Sequence, residues 1–87
     1  MFRGEIDIVA RDGGTLVFVE VKARVDDAFG RPEEFVTAAK QRQIRRIAIG
    51  YIIESRVAAD VNCRFDVISI LFRDGSDCRL EHFRDAF

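Results

Sequence analysis

The chain has 87 residues, 48% of them apolar and 33% charged, and a net charge of −1 at pH 7. That length holds one small domain, 1–87, and the composition excludes disorder. No apolar run approaches the ~20 residues of a membrane helix, and no basic-then-apolar leader opens the chain, so a cytoplasmic protein with no membrane partner is expected. Fourteen bases against fifteen acids exclude a blanket polyanion binder. Twelve of those bases are Arg, however, the residue suited to bidentate phosphate contact, so placement has to decide. Cys63 and Cys78 form no C-x-x-C spacing and have one His for company, which argues against zinc and for two reduced, semi-buried thiols.

Gly4 to Arg11 alternates apolar and polar residues, the period of a half-buried strand, with Asp7, Val9 and Arg11 on one face and Ile6, Ile8 and Ala10 on the other. Asp12-Gly13-Gly14 signals a turn, and Thr15 to Lys22 reads as a second strand covered on both faces. Residues 23–36 read as a loop, with a turn of helix at Pro32-Glu33-Glu34 as an option and Phe29-Gly30 as a candidate flap. A long helix follows from Thr37 as N-cap to about Ser55, its apolar stripe made by Ile44, Ile47, Ala48, Tyr51 and Ile52. Arg64 to Arg73 and Cys78 to Phe83 complete a β-β-α-β-β order around a turn at residues 74–77. An α/β domain is expected: a mixed sheet with the helix packed on one face, joined by a parallel crossover.

The first hairpin carries the chemistry. If Gly13-Gly14 is a two-residue loop, Asp7 faces Glu20 and Glu5 faces Lys22, all on one sheet face. Two directly opposed carboxylates repel by up to about 1 kcal/mol, so a cation should sit beside them. A divalent ion held by hard oxygens is one candidate, and Lys22 alone is another.

Asp7, with Glu20-Val21-Lys22 ending an apolar strand, resembles the D-x(n)-(D/E)-x-K core of the PD-(D/E)xK nuclease superfamily. Gly4-Glu5-Ile6-Asp7, Phe18-Val19-Glu20-Val21-Lys22, Arg64-Phe65-Asp66-Val67 and Ala86-Phe87 together resemble uncharacterised protein family 0102, the bacterial YraN-like proteins. The resemblance implies a restriction-endonuclease-like core, related in shape to Holliday-junction resolvases. It further implies Mg²⁺ or Mn²⁺ on Asp7, Glu20 and the Val21 carbonyl, with Lys22 beside the attacking water or the scissile phosphate. Relatives usually carry a helix and a strand before Gly4, so the chain is expected to be truncated at its N-terminus. The superfamily's Pro before the Asp is replaced by Ile6.

On the helix, Lys40 and Gln41 should lean toward the sheet, while Arg42, Arg45 and Arg46 point toward solvent as phosphate contacts. Glu5 and Gln41 are accessory candidates. Asp66 is either an outer member of the same site or a partner for a neighbouring loop, and His82 reads as structural or exposed. Ile49 and Ile53 form a second apolar set away from the main stripe, which suggests a homodimer. The function expected is metal-dependent hydrolysis of DNA, including branched DNA. The alternatives are a non-catalytic nucleic-acid-binding module of the same fold and a structural or protein-interaction domain.

Overall fold

The structure, a computed structural model, describes residues 6–24, 36–57, 60–72 and 77–87. Four strands, β1 (Ile8–Asp12), β2 (Thr15–Arg24), β3 (Asn62–Phe72) and β4 (Cys78–Phe83), and one helix, α1 (Ala38–Glu54), follow the order β1-β2-α1-β3-β4. The strands form one mixed sheet in the spatial order β1-β2-β3-β4. The β1–β2 and β3–β4 pairs are antiparallel and β2–β3 is parallel.

Gly13-Gly14 sets the register. Gly13 has φ +61°, open to glycine at little cost, and positive φ at the first central position suits a type II′ hairpin turn. Asp12 therefore pairs with Thr15 and Ile8 with Val19, the two-residue-loop register. The first strand is shorter than the alternation suggests, beginning at Ile8 rather than Gly4. Hydrogen-bonded pairs alternate along an antiparallel ladder, so the Val21 N–H would next reach the Ile6 carbonyl. Asp7 Oδ2 accepts that N–H instead, at 2.8 Å, and the ladder stops.

Thr37 caps α1: its hydroxyl accepts the Lys40 N–H at 3.2 Å, and its carbonyl accepts the Gln41 N–H at 2.8 Å. The helix lays Ile44 and Ala48 on a core made by Leu16 and Phe18 of β2, Phe65 and Val67 of β3, and Val36. Phe65 stacks between Phe18 and the C-terminal Phe87, at 5.6 and 5.3 Å between ring centroids, while Tyr51 meets Phe18 edge-on at 5.8 Å. The Ala86 N–H donates to the Phe65 carbonyl at 2.7 Å and ties down the tail. Contrary to the semi-buried expectation, Cys63 and Cys78 are exposed free thiols, because both sit at the starts of strands, outside the core. No described helix is long and apolar enough to cross a membrane. Glu5, the Phe29-Gly30 flap, the Pro32-Glu33-Glu34 turn and most of the turn at 74–77 lie outside the described residues.

Candidate functional site

Strand alternation divides the polar residues between two sheet faces. Ile8 pairs with Val19, so the register carried back one step sets Asp7 against Glu20 on the face that α1 covers. Glu20 is buried, at 8% exposure, and its neighbour across the parallel pair is Val67, itself fully buried. A carboxylate taken out of water needs charge or hydrogen bonds in return. Glu20 Oε1 lies 3.5 Å from Lys22 Nζ and 4.0 Å from Lys40 Nζ. These are the chain's two lysines, and both converge on one oxygen. Asp7 obtains its compensation from the Val21 N–H. The repulsion expected between the opposed acids is thus offset from within the chain, by Lys22 as expected and by Lys40 as well.

Lys40 comes from the first turn of α1, which contains no acidic residue. Basic groups there oppose the helix dipole by a few tenths of a kcal/mol, about 0.3–1, so the contact with Glu20 offsets a local cost. Gln41 turns back to the chain, its Nε2 donating to the Val36 carbonyl at 3.0 Å, and holds the helix entrance rather than the acid pair. Arg42 and Arg46 are exposed, as the helical spacing indicated. Arg45 is exposed as well, and its guanidinium also lies over the Phe65 ring at 4.8 Å and within 5.7 Å of Phe87. The negative face of the ring attracts the cation.

A second polar cluster occupies the opposite sheet face. Asp66 pairs with Val19, not Glu20, so parity removes it from the Asp7–Glu20 face. It is completely buried and accepts four hydrogen bonds: from Arg64 Nε at 2.9 Å and the Asp85 N–H at 3.0 Å on Oδ1, and from Arg64 Nη2 at 3.0 Å and His82 Nε2 at 2.7 Å on Oδ2. Burial drives the Asp66 pKa upward, yet the hydrogen bonds from Arg64, Asp85 and His82 outweigh it and hold the group at about 2. Arg64 also donates from Nη1 to Asp12 Oδ2, which accepts from Arg84 Nη2 too, both at 2.9 Å. The hydrogen bond and charge of Arg64, with Arg84 behind, lower the Asp12 pKa, while Asp66 and Asp12 raise that of Arg64. Of the two roles weighed for Asp66, partner to a neighbouring segment is the one the structure displays. His82, read as structural or exposed, is half of a hydrogen-bonded acid–imidazole pair.

The donor set suits Mg²⁺ or Mn²⁺ modestly. The carboxylates of Asp7 and Glu20 and the Val21 carbonyl are all hard oxygen ligands, and Mg²⁺ commonly takes only one or two carboxylates plus waters and a phosphate. Among the described residues, no group of three or more His, Cys, Asp or Glu side chains is placed to hold an ion.

Comparison with known sequences places this geometry in a family. The profile of uncharacterised protein family UPF0102 matches residues 1–70. A UPF0102 protein of Geotalea daltonii is 52% identical over 84 residues, which is 97% of this chain and 65% of the relative. Those of Geobacter metallireducens and Pelotomaculum thermopropionicum are 51% and 46% identical, again across 97% of this chain, covering 67% and 70% of their own lengths. The chain therefore spans about two thirds of the length of the relatives it matches.

Proposed function

The chain belongs to uncharacterised protein family UPF0102, and on that premise we propose that it is the restriction-endonuclease-like core of a metal-dependent nuclease acting on the phosphodiester backbone of DNA, branched DNA included. The observation that carries the proposal is the convergence of Lys22 and Lys40 on the buried Glu20 carboxylate, one residue before the Val21 N–H that Asp7 accepts. A sequence that needed only a stable sheet would place an apolar residue at the buried Glu20 position, since a buried ion pair is often no better than well-packed hydrophobic residues of similar volume.

Asp7, Glu20 and the Val21 carbonyl would hold Mg²⁺ or Mn²⁺, which when bound supplies Lewis-acid stabilisation of phosphate charge and a more acidic water. The chain's own groups do the positioning. The Val21 N–H fixes one Asp7 oxygen and so orients the carboxylate. Lys22, an ammonium held against a carboxylate, contributes charge to the phosphate rather than accepting a proton. Lys40 adds a second point charge from α1, and the exposed Arg42 and Arg46 extend the basic surface along the helix for flanking phosphates.

A second function, binding without turnover, is favoured by one specific feature: the two lysines already neutralise Glu20, so the acid pair does not require an ion for folding. Incubation with labelled branched and linear DNA in Mn²⁺ or Mg²⁺ separates the two. The nuclease proposal expects metal-dependent cleavage that Asp7→Asn, Glu20→Gln and Lys22→Met each abolish. Retention of DNA without cleavage in either metal rejects it in favour of the binding module.

A further inference from the structure

We propose that the cleft on the sheet face opposite α1, lined by Arg84 and His82, is a second binding site, for a phosphate ester whose anionic group meets Arg84 while its apolar part lies on Ile8, Val19 and Ile68. The cleft has a volume of about 480 Å³. That lies within the range of small-molecule sites, about 300–1,000 Å³, which are mostly apolar with a few convergent polar groups. Asp7, Glu20, Lys22 and Lys40 are absent from its lining, and it stands independently of the nuclease proposal.

The charge of its walls selects an anion. Arg64 and Asp66 of β3, Asp12 of β1, His82 of β4 and Arg84 after it line the cleft, with Arg11 at the β1 edge. Three guanidiniums face two carboxylates, so the walls carry an excess of positive charge without any contribution from His82. Arg64 is committed to Asp66 and Asp12 through three of its nitrogens, and this fixes the carboxylates rather than leaving a fork for ligand. Arg84 is different: it reaches Asp12 through Nη2, and its side chain is 63% exposed. Its remaining N–H groups are the candidate anion donors.

His82 is oriented by the same network. Asp66, held ionised, can only accept, so the Nε2 that lies 2.7 Å from it is the nitrogen carrying hydrogen. In the neutral ring the lone pair is therefore on Nδ1. With 43% of its side chain exposed, the ring can be reached by solutes. Asp66 thus acts as a positioning residue, setting tautomer and ring direction, as a carboxylate does for a metal-bound or catalytic imidazole.

The chain has one histidine, so its imidazole resonances report on this cleft alone. Titration with phenyl phosphate, followed by those resonances, should give a saturable shift that sodium chloride at matched ionic strength does not. Inorganic phosphate, lacking the apolar part, should bind more weakly. Arg84→Ala leaves Arg64 on Asp12 and should weaken phenyl phosphate by roughly tenfold or more, the equivalent of one lost charge-assisted contact. Glu20→Gln should leave the titration unchanged, which separates this site from the nuclease face. Dimethyl phosphate identifies the source: binding equal to phenyl phosphate points to a nucleic-acid strand, and weaker binding to a free monoester, both within the proposal. An imidazole shift that chloride reproduces, or an affinity that Arg84→Ala does not change, overturns it.

Discussion

Asp66→Asn removes one negative charge while preserving size, at a position that is fully buried and accepts four hydrogen bonds. The depression of its pKa from 3.8 to about 2 sets the magnitude: at about 1.4 kcal/mol per unit, the ionised form contributes roughly 2 kcal/mol more than a neutral one. The amide also turns an NH₂ toward one of the donors that Asp66 now accepts, so the loss should be at least that large. The folded pKa lies below the unfolded one, so the contribution is complete above about pH 4 and is lost as pH falls through about 2. Urea denaturation at about pH 6 should place Asp66→Asn at least roughly 2 kcal/mol below wild type, and the gap should narrow as pH is taken down toward about 2. A variant within about 0.5 kcal/mol of wild type at neutral pH, or a gap that does not change with acidification, would refute the account of this network.

Arg45→Ala should cost about 0.5–1 kcal/mol through its loss from the Phe65 and Phe87 rings, whereas Arg46→Ala should leave stability unchanged, weaken DNA uniformly and lower the salt slope by about one; thermal melts and salt-dependent binding read the two effects apart. Gly13→Ala has open space for its Cβ but must adopt φ +61°, so a loss of about 1 kcal/mol without change of register is expected in denaturant titration. Ile49 and Ile53 are 58% and 66% exposed on α1, and if a second copy covers them, Ile49→Asp/Ile53→Asp should raise the dimer dissociation constant by more than roughly tenfold in sedimentation equilibrium; a wild type that stays monomeric at high concentration contradicts this.

What could be read from the chain was local. The Gly13-Gly14 loop determined the β1–β2 register through parity alone, and Thr37 before an apolar 3.6-residue period located the start of α1. β4 matches its expected bounds, and α1 differs only by its flanking cap residues. The upstream end of β1 escaped because a side-chain acceptor, Asp7, displaced a backbone one, a competition that alternation does not register. The second cluster escaped for a different reason. Asp12 and Arg64 are 52 residues apart, and Asp12 and Arg84 are 72, and they meet only because β2 and β3 pair in parallel and the tail returns over the sheet. One signal was available: Arg64 and Asp66 at i and i+2 on a strand share a face, a polar pair where an apolar one was due. Arg45 is exposed as its helical angle indicates, but that angle says nothing about its contact with Phe87, which arrives from the far end of the chain.

We propose that Asp7 and Glu20 form one divalent-ion site despite the lysines on Glu20. Calorimetric titration of Mn²⁺ into the wild type, Asp7→Asn and Glu20→Gln tests it most directly. The account predicts saturable binding by the wild type and its loss in both variants, each still folded by circular dichroism. A wild type that takes up no ion, or variants that bind as the wild type does, would contradict it.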